Sequence, residues 1–250
     1  FLGRDVLSRV LAGGRTVVLI GVAATALSYV LGLGIGIYTG LRGGATDFLL
    51  MRGVDLLTVI PAILYLLLLA SGLGRHIWVL VLGMVIVLFP PVSRVIRTAT
   101  LAVARSGYVE AAQVRGDPTL TICLRDILPN ILPNVLADFG IRFASSILLV
   151  AAMNFLGLGL TPPVADWGLM TSENQPIIGL NVLAVLAPAS MLAVLTVSIN
   201  LIADAYLTTL GRSSAAGPRR WFARRAAAPA VVPVSAGMPL GTSLREVGPA

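Results

Sequence analysis

The chain contains no lysine: all eighteen of its basic residues are arginine. That absence excludes a nucleotide-binding Gly-x4-Gly-Lys-Ser/Thr loop, whose lysine has to reach the β and γ phosphates. If ATP drives this protein, another polypeptide binds it. Charge of either sign is also scarce, at 12% of 250 residues where a soluble domain carries about a quarter. With 57% hydrophobic residues and a mean hydropathy of +0.93, so few charges leave much of the surface facing lipid. Cys123 is the only cysteine, which excludes an intramolecular disulfide, a cysteine-based metal site and a redox pair; it reads as a small packing residue. His76 is the only histidine, so a zinc hydrolase or a serine triad lacks its parts. The net charge of +7 does not point to nucleic acid, because the arginines sit in loops between apolar runs and in a tail, where membrane orientation explains them.

What the chain does have is a series of long apolar runs. A bilayer core about 30 Å thick takes roughly 20 apolar helical residues. Five segments meet or approach that length, at about residues 16–41, 47–73, 77–104, 135–160 and 181–210. The expected fold class is all-α, a polytopic membrane helix bundle. Residues 1–15 read as an amphipathic extracytoplasmic segment that starts at Phe1 without a signal peptide, so a further N-terminal piece is expected ahead of it. Residues 211–250, rich in Pro, Ala, Gly and Ser, are expected to form a disordered basic tail. Its Arg219, Arg220, Arg224 and Arg225 around Trp221 and Phe222 read as a solvated juxtamembrane cluster or as a patch on anionic membrane lipid.

Charge bias sets the orientation. Arg94, Arg97, Arg105, Arg115 and Arg125 crowd one region, whereas residues 161–180 hold Asp166 and Glu173 and no arginine. Arginine accumulates on the cytoplasmic side, which places residues 105–134 inside and 161–180 outside. In the first span, Gly32, Gly36 and Gly40 share one helical face, where another helix can approach closely. The alternating glycines there are not a dinucleotide loop, since neither the preceding strand nor the third glycine is in place. Arg52 and Asp55, three apart in the second span, are expected to pair, and Pro61 beyond them to kink the helix. Pro90-Pro91 predicts a bend where the third span leaves lipid.

Between the third and fourth spans lies the most informative segment: Glu110-Ala111-Ala112, three residues, Gly116, and Leu128-Pro129, with the proline thirteen positions after the glycine. Tyr108 to Arg115 has good helix formers, Gly116-Asp117-Pro118 is a turn, and Thr119 to Ile127 predicts a second short helix that Leu128-Pro129 ends. Small Ala111 and Ala112 admit a close partner surface, and Glu110 offers it a charge.

This pattern resembles the cytoplasmic coupling loop of permease subunits in ATP-binding-cassette (ABC) importers. Leu2 to Arg9, Asn154 to Gly159 with Pro162-Pro163 and Trp167-Gly168, and Asn200-Leu201 with Asp204 look like the C-type permease of the dipeptide/oligopeptide/nickel branch. Two positions depart from that pattern: Asp126 stands where the general motif has Ile, and Ala203-Asp204-Ala205-Tyr206 lacks a Gly and a second acid. The resemblance implies a type I importer permease (MetI-like) fold of six spans, the first lying ahead of Phe1, in a bacterial plasma membrane. It implies a homologous B-type permease, two cytoplasmic ATPase subunits that hold ATP and Mg, and an extracytoplasmic binding protein as partners. It implies no catalytic residue, metal or cofactor in this chain, and peptides as cargo, with nickel, haem or glutathione as alternatives. Glu110, Ala111, Ala112, Gly116, Leu128 and Pro129 are the expected ATPase-coupling residues. Asp166, Trp167 and Glu173 are candidates for contact with the binding protein, or else part of a packed external loop. An ATP-independent secondary transporter is disfavoured, because its ionisable residues belong near the midplane and the charges here lie mainly toward span ends.

Overall fold

The computed structural model describes residues 6–215, all helix and connecting turns with no strand among them. Expectations for Leu2 to Asp5 and for the tail beyond Ala215 lie outside the described residues. The elements are α1 (Val6–Arg42), α2 (Gly44–Leu57), α3 (Ala62–Leu73), α4 (Ile77–Ala104), α5 (Gly107–Val114), α6 (Thr119–Thr121), a π-helical stretch (Ile122–Ile127), α7 (Leu128–Phe155), α8 (Trp167–Asn174) and α9 (Leu183–Ala215). Four rods are long and apolar enough to cross a membrane: Leu7–Arg42, Ile77–Ala104, Thr119–Phe155 and Leu183–Tyr206. A fifth is formed by α2 and α3 together, bent by 74°. In lipid every backbone group must find its partner inside the segment, which is why apolar runs close into helices. The hydroxyls they contain do the same, as Thr25, Ser28, Thr39 and Ser93 each donate to a carbonyl one turn back.

At the centre α1 and α4 run parallel. A Cβ added at Gly32, Gly36 or Gly40 would meet Val92, Ile96 or Thr100 at 2.5, 2.8 and 2.7 Å, so the three glycines are where the two backbones come closest. Core side chains continue this contact at both ends: Tyr29, Ile37, Val92 and Ile96 toward one, Ile20, Ala24, Leu80 and Met84 toward the other. α7 packs antiparallel on α1, with Ser146 beside Thr25 and Gly21, and Asp138 beside Tyr29. α9 touches the bundle through Ala203, which lies against Gly140, and through Ala187, Leu192 and Leu195 near Trp167.

Several boundaries differ from the sequence reading. Residues 6–15 are the opening turns of α1 and not a separate segment, because no breaker divides them from the span. At 37 residues the helix is about 55 Å long, well beyond a hydrocarbon core. The second span is broken at Thr58 to Pro61, where Pro61 cannot donate and α3 restarts at Ala62. Pro90 and Pro91 lie inside one unbroken helix, α4, where the two missing donors leave its ends in place. The Arg52–Asp55 pair does not form. α2 packs against α4, and there Asp55 takes Arg94 Nη2 at 2.7 Å while Asp47 takes Nε and Nη2 of Arg97 in a bidentate fork. The second short helix does not end at Leu128-Pro129 either. Leu128 N–H donates to Cys123 five residues back, and this π register carries the chain past Pro129 into α7. The loop expected over 105–134 therefore shrinks to two short turns, and the rod expected to begin at 135 begins at Thr119.

Candidate functional site

The residues of the Glu-Ala-Ala segment fold into a knob at the end of the bundle where α1 finishes. α5 closes in a Schellman arrangement: Asp117 N–H donates to Ala112 O at 3.1 Å and Gly116 N–H to Gln113 O at 3.0 Å. Gly116 has φ +78°, a conformation that a side chain disfavours, so the motif's glycine is the residue that lets the chain reverse. Pro118 follows and starts the next helical segment with the φ it already holds.

One face of the knob is spent on the bundle. Val109, Ala112, Ile122 and Ile127 are buried with Ile37, Ile96 and Ile131 in a single cluster. Ala112 is thus an internal packing residue, small because α5 lies tight on the helices behind it. The opposite face of α5 is open: Glu110, Ala111 and Gly116 are exposed, as are Tyr108 and Val114, whereas exposed Leu120 and Leu124 line an apolar cleft with Val30, Ile37 and Tyr38 of α1. Val114 keeps 89% of its surface, an unusual exposure for a β-branched apolar residue next to a charged turn. The Glu110 carboxylate makes no hydrogen bond or ion pair among the described residues, while nearby Arg115 is held by Asp117 at 2.8 Å. Leu128 is half-buried and Pro129 exposed, both on the π-helical join rather than on the outer face of α5.

The opposite end of α1 carries a cap that contrasts in every respect. Asp166 is fully buried and is the N-cap of α8: its Oδ1 accepts from Gly168 N at 2.9 Å and Leu169 N at 3.2 Å. Burial raises its carboxyl above the ordinary range, opposed by the Leu169 N–H, the facing Asn154 amide and the Gly168 N–H. Trp167 brings the Nε1 edge of its ring against Gly13 and Gly14, and its Nε1 donates to Val10 O at 2.6 Å. Glu173 pairs with Arg9 at 2.9 Å, both largely shielded. Fully buried Asn154 accepts from Leu160 N at 2.8 Å, and a Cβ on Gly159 would run into its Oδ1. All three candidates for contact with a binding protein therefore point inward and fasten α8 to α1 and α7. The exposed positions around them are Thr161, Pro162, Pro163, Gln175 and Pro176.

Sequence reasoning missed one grouping. Asp138 and Arg142, four apart in an apolar helix, lie ten or more residues inside α7 and join Tyr29 of α1. Their charges in a hydrophobic run were the available signal, and they stand apart from the charges that lie mainly toward span ends. Among the described residues no group of His, Cys, Asp or Glu side chains is placed to hold a metal ion.

Comparison with known proteins fits this arrangement. Residues 32–213 match the family model described as "Binding-protein-dependent transport system inner membrane component". The chain is 30% identical over 203 residues to the oligopeptide transport system permease protein OppC of Bacillus subtilis (strain 168), covering 81% of this chain and 67% of that protein. It is 34% identical over 205 residues to a putative peptide permease protein of Brucella ovis, covering 81% and 68%. The chain thus spans about two thirds of the length of these relatives. Among solved structures, an inward-facing methionine ABC transporter, MetNI, aligns with a TM-score of 0.66 at 18% identity, over 81% of this chain and 96% of that one. An amino acid ABC transporter with histidines aligns with a TM-score of 0.61 at 18% identity, over 82% and 98%. These two alignments show the shared MetI-like permease fold.

Proposed function

Because this chain belongs to the family of inner-membrane components of binding-protein-dependent transport systems, we propose that it is one of two permease subunits of an ABC importer for peptides, driven by ATPases that dock on the α5 knob. The observation that carries this reading is the knob's divided surface. Its inner face is locked into the bundle, so a push on the knob is a push on α1, α4 and α7. Its outer face presents unpaired Glu110 with exposed Tyr108 and Val114, apolar surface and a charge that a partner would cover. The arginine distribution places this end in the cytoplasm, where ATP is. With no lysine in the chain, ATP and Mg belong to the partners. The cap at the other end faces the side from which a binding protein delivers cargo.

The chain supplies no bond chemistry; it converts a partner's motion into alternating access. α5 receives the displacement, the π-helical stretch passes it into α7, and the glycine-lined α1–α4 pair moves with it as one packed unit. Peptide as cargo rests on the names of the relatives in the paragraph above. The test is ATP-driven uptake of a labelled tripeptide by proteoliposomes containing the chain, its partner permease, both ATPases and the binding protein. Glu110→Lys and Gly116→Pro are expected to abolish uptake while the chain remains inserted. Wild-type uptake by both variants, with the ATPases retained, overturns the docking assignment.

A further inference from the structure

α7 holds an acid and a base inside a long apolar helix. Asp138 stands 10 residues after Leu128 and 17 before Phe155, about 15 and 25 Å from the two ends. Tyr29 donates to Asp138 Oδ2 at 2.6 Å, and Arg142 Nε donates to the same oxygen at 2.7 Å. The arrangement is only half closed: Asp138 Oδ1 accepts no hydrogen bond among the described residues, and the Asp138 and Arg142 side chains each keep 19% of their surface.

These residues belong to a stripe. Asn130, Asn134, Asp138, Arg142 and Ser145 follow one another at helical spacing along one side of α7, and Asn130, Asn134 and Ser145 are exposed. Ile131 and Val135, buried in the bundle, flank Asp138 and Arg142, while Leu136, Phe139 and Phe143 face α9 across a greasy cleft with Ile199 and Ile202. Ile141 and Leu148 are the large apolar residues exposed beside Asn130, Asn134 and Ser145. Amides, a carboxylate and a guanidinium along this stripe are costly in hydrocarbon and mark a face turned to water or to polar cargo.

We propose that this face of α7 lines the translocation path, and that the Asp138–Arg142 pair, steadied by Tyr29, is a point of contact for cargo within the membrane. The cargo class it fits is a peptide, whose backbone carbonyls and N–H groups match the guanidinium and the free carboxylate oxygen. The cargo part rests on the peptide-import reading above; the path-lining part does not.

Cysteine accessibility tests both, and the chain needs only Cys123→Ser as a background. In proteoliposomes of the whole transporter, Asn134→Cys and Ser145→Cys are expected to react with a charged, water-soluble thiol reagent. Val194→Cys on the exposed side of α9 is not. A transported tripeptide is expected to slow the labelling several-fold, and Arg142→Gln to raise the KM for its uptake about tenfold, the scale of one lost polar contact, with partial rescue by Arg142→Lys. Absence of labelling at both positions overturns the path-lining face and leaves a clamp covered by the partner permease. Labelling that an imported tripeptide does not slow overturns the cargo contact. A wild-type complex that labels on the stripe but imports no peptide refutes the peptide reading and supports the path-lining face.

Discussion

The two ends of α1 carry opposite solutions to the same problem of what to do with polar side chains. At the cap, the polar side chains are turned inside the chain: Asp166 caps α8, Trp167 donates to Val10, and Glu173 holds Arg9, while Asn154 Nδ2, Asp166 Oδ2 and Glu173 Oε1 are buried there without a hydrogen-bond partner among the described residues. At the knob, the Glu110 carboxylate and the Tyr108 and Val114 side chains stay exposed on an outer face. The difference separates an end whose functional groups are turned inward from one whose groups are left open. The cap ties α8 to α1 and α7, while the knob is packed on the bundle on one side only.

The largest expected effect sets one substitution against itself at the two ends. Gly168→Ala drives a Cβ into the Ala151 backbone, and unfolding of the purified protein in detergent should register a loss of about 3 kcal/mol. Gly107→Ala on the knob meets nothing within 4 Å and is expected to change stability by no more than about 0.5 kcal/mol. Equal shifts at the two sites would mean that the cap is not tightly packed.

Next is Val114→Asp. It should weaken retention of the ATPases about tenfold in co-purification while leaving the melting temperature of the isolated chain unchanged, since the residue keeps 89% of its surface. Undiminished retention would remove Val114 from the docking face. Smaller still is Gly116→Ala, which forces a side chain into φ +78° and is expected to cost about 1 kcal/mol, read as a fall in the denaturation midpoint.

The smallest effect concerns pH. Burial raises the Asp166 carboxyl in the folded chain, so the native state holds that proton more tightly than the unfolded one. The stabilisation is fully present below the unfolded value near 3.8 and is lost as pH rises through the higher folded value. Asp166→Asn keeps an acceptor for the cap and removes the titration. Melting temperatures of the two proteins should therefore diverge on going from neutral to acid, with the wild type gaining. Parallel curves would show that Asp166 does not titrate differently on folding.

Much of the knob was legible in the sequence because its signals are local. Gly116 announces a positive φ, Asp117-Pro118 a reversal, and Tyr108 to Val114 a helix, each within a few residues of where it acts. Ala112 was misjudged in role, since the side of α5 that turns inward depends on what lies behind it. At the cap the same limitation is more severe: an acid and a tryptophan in a hydrophilic loop look like a surface, and only Gly13, Gly14 and Val10, more than 150 residues away, make them an interior. The π register had no local signal beyond Pro129, which reads equally as a stop.

Left to itself, the sequence determined that the chain is a bundle of membrane-crossing helices with a short polar helical segment between two of them. Apolar content adds up along the chain, and helical hydrogen bonds close within four residues, so both can be counted without knowing any neighbour. Tertiary structure alone decided that Arg97 belongs to Asp47 and Arg94 to Asp55, that Asp166, Trp167 and Glu173 face inward, and that Tyr29 meets Asp138 and Arg142. Those pairings depend on the rotation and axial offset of whole helices. Both are set by contacts between distant segments, above all the close parallel approach of α1 and α4 over Gly32, Gly36 and Gly40.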